Sequence, residues 1–194
     1  MKLLLLRCPR CNHALTPGND DVVVQCPNCH AAVGISEGGL QLSPAHYATP
    51  TQPQPETWLP FWVYRGQVTF QSPRPQAGPS PQQEAQTFWP QPRHFYIPAW
   101  AGELADARDL VADLLAKQPL LSAVTPPEDA VFLPVALTTE DGHKLLELVI
   151  VSLEAQRKDW LESLKFDLRL DSEALWLLPA RSDSDGWSLL IKGV

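Results

Sequence analysis

Two stretches of the chain repeat apolar residues at helical spacing. Between residues 103 and 117, Leu104, Ala107, Val111, Leu114 and Leu115 recur at intervals that line one helix face. Lys117 comes last and Pro119 follows, which is the polarity of a helix with a proline stop. Residues 139–157 carry Leu145, Leu146, Leu148, Val149, Ile150, Val151 and Leu153. These cover more than one face, so the second predicted helix is expected to be deeply buried.

Elsewhere the pattern is that of strands. Residues 2–7, 21–25 and 31–35 predict a short three-stranded ribbon, with a Thr-Pro-Gly-Asn-Asp turn at 16–20. Residues 58–70, dense in aromatic and β-branched side chains, predict a strand or strand pair bent at Gly66. Residues 165–170, 174–178 and 187–191 predict an antiparallel meander, its last two strands joined through a Ser, Asp and Gly turn at 181–186. Pro60, Pro98, Pro134 and Pro179 each interrupt or end an apolar run, which places them at edge or terminal strand positions.

Residues 43–57 and 71–87 break the pattern: they are rich in Pro, Gln, Ser and Thr and poor in large apolar groups, so burial cannot offset the entropy of ordering them. The predicted organisation is a small β unit at 1–42 and a flexible linker at 43–57. A mixed α+β domain follows at 58–194, with about two helices on a largely antiparallel sheet and a Pro/Gln-rich loop at 71–87.

Composition sharpens this outline. The chain has 194 residues, 44% of them hydrophobic, which is enough for a real core. Its 20 prolines against 10 glycines agree with a segmented chain. With 22 acidic and 15 basic residues the net charge is −7, and no basic stripe interrupts it. That balance disfavours nucleic acid and anionic lipid as partners. No apolar run is long enough to span a bilayer, and residues 1–6 are too short for a signal h-region, so a cytoplasmic location is expected.

All four cysteines fall in two CPxC turns, Cys8-Pro9-Arg10-Cys11 and Cys26-Pro27-Asn28-Cys29. Four thiolates from two such turns on a hairpin close a tetrahedral Zn²⁺ shell; iron is admissible in the same shell. Asn12 and His30, which follow the two pairs, hold places that often need a left-handed backbone, and both types tolerate it better than most non-glycines. Disulfides would need an oxidising compartment that the sequence does not announce. A thioredoxin-like redox pair would need one CxxC at a helix start, and the proline and polar residues around both pairs argue against that. With four cysteines present, His13 and His30 are not required as ligands.

On these motifs residues 1–42 resemble a zinc ribbon, the rubredoxin-like knuckle pair. The resemblance implies a structural Zn²⁺ held by Cys8, Cys11, Cys26 and Cys29, and implies nothing about reaction or partner. The remainder, with its Leu59-Pro60-Phe61-Trp62 segment, resembles small bacterial proteins of unassigned role, from which no function carries over.

Signatures of catalysis are missing: the chain contains no GxGxxG, GxxxxGK, HExxH or GxSxG. Asp106, Asp109 and Asp113 read as the solvated face of the first helix. Seven tryptophans are many for this length. Trp58, Phe61 and Trp62, next to a predicted linker, are candidates for an exposed aromatic patch that binds a partner. The reading that follows is a non-enzymatic zinc-binding adaptor acting through protein contacts. A transcription-associated ribbon and an enzyme with a site in 88–194 are the alternatives.

Overall fold

The computed structural model describes residues 6–71, 88–102, 104–155, 165–183 and 186–194. A small antiparallel sheet comes first, built in the order β1–β2–β3 from β1 (Val23–Gln25), β2 (Ala32–Ser36) and β3 (Gly39–Leu42). Two of these strands lie where the apolar pattern places them. The third is β3, because residues 39–42 pair with β2. Of the strand expected at 2–7, Arg7 makes a single bridge to Ala14, and residues 2–5 lie outside the described residues.

Among the described residues, the larger unit is a six-stranded sheet with two helices. Its strands are β4 (Ala45–Ala48), β5 (Thr57–Gln71), β6 (Arg93–Pro98), β7 (Ala123–Val124), β8 (Lys165–Asp183) and β9 (Gly186–Leu189). Their order is β6–β5–β8–β4–β7, with β9 on β8, and every pair is antiparallel except β4 with β8. The helices are α1 (Leu104–Lys117) and α2 (Thr139–Ala155). A small β segment followed by a mixed α+β domain is thus the architecture that the sequence predicts.

The long pair β5 and β8 forms its spine. Alternate side chains of β5 serve both faces: Leu59, Phe61 and Val63 enter one core cluster with Tyr96 and Leu178, while Tyr64 and Val68 enter another with Phe95 and Ile97. Beside the edge strand β6, α1 contributes Leu114 to the first cluster and Leu115 to the second. Leu146 and Ile150, one helical turn apart on α2, complete the second.

Several details differ from the sequence pattern. The bend expected at Gly66 is a β-bulge: Arg65 faces Ser172 and Gly66 faces Leu170, so Asp171 is the extra residue. Glycine is required there, since a Cβ would collide with the Arg169 carbonyl. Residues 165–178, expected as two strands, run unbroken in β8, because the polar residues 171–173 sit on an exposed stretch that still pairs with β5. Residues 45–48, expected as part of a linker, form β4, with Tyr47 and Ala48 buried in the sheet. Their strand signal is only four residues long between Pro44 and Pro50. Of the loop expected at 71–87, Gln71 ends β5 and the rest lies outside the described residues.

Deep burial of the second helix is also corrected. Leu146 and Ile150 are buried, but Leu148 is 65% exposed and Val151 is 37% exposed, because α2 meets the sheet with one face only. Pro60 and Pro179 are not on edge strands. They lie in the two central strands near the ends of neighbouring ones, where their carbonyls accept from the Ala99 and Leu190 N–H groups.

The two sheets are joined by the connection between β7 and α2. On one side Val135 exchanges backbone hydrogen bonds with Val23 and accepts from Val22. Gln25 of β1 donates to the Ala130 carbonyl at 2.6 Å and accepts from the Phe132 N–H at 3.3 Å. Facing the larger sheet, Leu133 donates to the Trp58 carbonyl and Ala136 to the Ala99 carbonyl.

Candidate metal centre

Two turns of the same shape carry the four cysteines. In the first, the Asn12 N–H donates to the Cys8 carbonyl and the Cys8 N–H to the His13 carbonyl. The second repeats the pattern, His30 N–H to Cys26 carbonyl and Cys26 N–H to Ala31 carbonyl, all four bonds being 2.9 Å. Closing each turn this way needs a residue with positive φ directly after the second cysteine. Asn12 at +61° and His30 at +56° supply it, as their positions in the sequence predict. The Arg10 N–H points at Cys8 Sγ at 3.4 Å, the amide-to-sulfur contact that orients a thiolate ligand.

Facing each other, the two turns bring all four Sγ atoms within 4.8 Å of one another. Cys8 and Cys29 are 3.6 Å apart and Cys11 and Cys26 are 3.5 Å apart, too far for S–S bonds of about 2.05 Å. A tetrahedral ion with metal–sulfur bonds of about 2.3 Å has edges of about 3.8 Å, so the donor set fits a metal ion in number, type and spacing. Cys8 and Cys26 are buried, and Cys11 and Cys29 are half-buried. Around them Leu15, Val24 and Val33 form the apolar cluster of the small sheet.

The thiols differ in environment. Cys11 is lowered to about 6 by the His13 backbone N–H and then by the Asn28 side chain. Cys29 is pushed up to about 12, first by burial and then by the neighbouring sulfurs. Sulfurs this close cannot all be charged without a cation among them, and a bound divalent ion removes that conflict. Asn28, the variable residue of the second CPxC turn, is a partner to the site that spacing alone does not reveal.

No other grouping of three or more His, Cys, Asp or Glu side chains converges in this way among the described residues. His46 stands against the Trp176 ring, His94 beside Tyr96 and His143 beside Tyr64, each in a separate place. Asp113 pairs with Lys117 on the exposed side of α1, the solvated-face role that the pattern predicts for it.

The aromatic trio expected to form an exposed patch lies elsewhere. Trp58 is 1% exposed and Phe61 is 0% exposed, both packed inside the larger unit. Trp62 is half-buried and its indole N–H donates to the Leu137 carbonyl at 2.7 Å. β5 runs between two paired strands and its side chains enter core clusters, which encloses Trp58 and Phe61 and leaves Trp62 only partly exposed.

No family model, no curated protein and no solved structure matches this chain. No helix among the described residues is long and apolar enough to cross a membrane.

Proposed function

We propose that the chain is a zinc protein in which the ion is structural, and that it acts as an adaptor through protein contacts rather than through catalysis. The observation that carries the first part is the four-sulfur cluster of Cys8, Cys11, Cys26 and Cys29. Four thiolates fill a tetrahedral shell and leave no open position for substrate, so the ion would supply folding energy rather than Lewis acidity. Zinc suits the site better than iron because a redox-silent ion serves a purely structural role, and reduced thiols suit a reducing compartment such as the cytoplasm. The adaptor part is supported by the scattered placement of the histidines and by a net charge of −7, which gives nucleic acid no electrostatic footing.

Two baits test the reading, the zinc-loaded full chain and its Cys26→Ser variant. A protein partner that reconstitutes from purified components with the first bait and not with the second is the expected result. Salt-sensitive binding of DNA or RNA, with no protein partner, would overturn it.

A further inference from the structure

A cleft of about 610 Å³, open to solvent, lies where the second cysteine turn meets the larger unit. Arg10, Cys29 and His30 line it together with the start of β2, as do Ser43 and Tyr47 and the Pro126-Pro127-Glu128 segment. The volume falls in the range of about 300 to 1,000 Å³ typical of ligand sites.

What sets this cleft apart is its supply of uncommitted polar groups. Tyr47 is 5% exposed, held in β4 between β8 and β7 with its ring edge-on to Trp58 at 5.0 Å. Its hydroxyl has no hydrogen-bond partner among the described residues and is not a buried orphan, so it is open to the cleft that Tyr47 lines. Burial raises Tyr47 to about 12, which keeps it a neutral donor at any physiological pH. Arg10 and Glu128 form no ion pair, and the side chains of Ser43 and His30 make no hydrogen bond, among the described residues. Arg10, Ser43, Tyr47 and His30 can all donate, whereas Glu128 can only accept.

The geometry points to this cleft as the docking site for an extended peptide that places an Asp or Glu carboxylate between Arg10 and Tyr47, with Glu128 accepting from the peptide's N–H groups. A single negative charge matches one guanidinium and one phenol. Glu128 and the surplus negative charge of four metal-bound thiolates repel any anion here, a dianionic phosphate about twice as strongly as a carboxylate. The open form and the shallow walls of alanine and proline suit a chain laid along the cleft better than an enclosed small molecule. This inference rests on the adaptor reading, since it names the chemistry of the partner.

A library of random octapeptides selected on the zinc-loaded full chain tests it, with the enriched peptides synthesised and titrated by fluorescence anisotropy. Enriched peptides should carry Asp or Glu, and changing that residue to Asn or Gln should weaken binding at least about tenfold, as loss of a charge-assisted hydrogen bond does. Arg10→Gln and Tyr47→Phe should each weaken it about tenfold at unchanged zinc content, and Leu148→Ala, on the exposed side of α2, should change nothing. Should Tyr47→Phe disturb the fold, Ser43→Ala takes its place with the same expectation. Peptides without acidic preference, or binding indifferent to Arg10 and Tyr47 in zinc-loaded protein, would overturn the cleft as the site. Glutarate binding as tightly as the peptides would overturn the peptide as ligand. A chain that holds no zinc would instead overturn the reading beneath it.

Discussion

At the scale of single residues, burial decides what each aromatic and each thiol does. Trp58 is enclosed by Tyr47, Phe132 and Leu177, so Trp58→Ala should cost about 3 to 5 kcal/mol in a denaturant titration. Leu148→Ala, at a largely solvent-exposed position, should stay within about 0.5 kcal/mol in the same titration. A sequence shows that Trp58, Phe61 and Trp62 are near a polar segment; it does not show that β5 lies inside the sheet with core clusters packed on these side chains. The cysteines are the opposite case. Their ligand role and the left-handed turns at Asn12 and His30 are legible because a metal knuckle is set by a handful of consecutive residues. Their ionisation adds a pH prediction. Cys29, pushed up to about 12, holds its proton at neutral pH and must release it to coordinate, whereas Cys11, lowered to about 6, is already a thiolate there. Metal affinity should therefore fall as pH falls from 8 to 7, by about tenfold for each proton displaced, and more steeply below about 6 as Cys11 also protonates. Chelator competition across that range measures it.

Among the elements, the two helices and the spine strand β5 were legible, since each carries many residues of one period. Helix α2 also begins with a cap: Thr138 Oγ1 accepts from the Asp141 N–H at 3.1 Å and donates to the Asp141 carboxylate at 2.7 Å. Thr138→Ala should lower stability by about 1 kcal/mol in thermal or denaturant unfolding, and Thr138→Ser should restore most of it. Strand β4 and the continuity of β8 were not legible. A four-residue strand between prolines carries too few alternating positions, and the Asp171-Ser172-Glu173 stretch reads as a break although it keeps its pairing through a bulge. The depth of α2 is not legible for a related reason: apolar residues on several faces say how much could be buried, not how many faces the sheet offers.

For the whole molecule, the small sheet hydrogen-bonds to the connection that also leads into α2, and its Val23 packs in one cluster with Leu175 of β8. Gln25 alone bridges the Ala130 carbonyl and the Phe132 N–H. Removing the metal should raise hydrogen exchange first across residues 8–42 and next across 130–137, while the centre of β5 and β8 stays protected, because their core lies in clusters apart from the cysteines. Nothing local in the sequence relates residue 25 to residue 130, so this join is a property of the folded chain alone. The claim on which all of this rests is that four thiolates bind one ion. X-ray absorption at the zinc edge of the purified full chain tests it most directly. The expected result is a first shell of four sulfurs at about 2.3 Å. A shell containing nitrogen or oxygen, or fewer than four sulfurs, would contradict it.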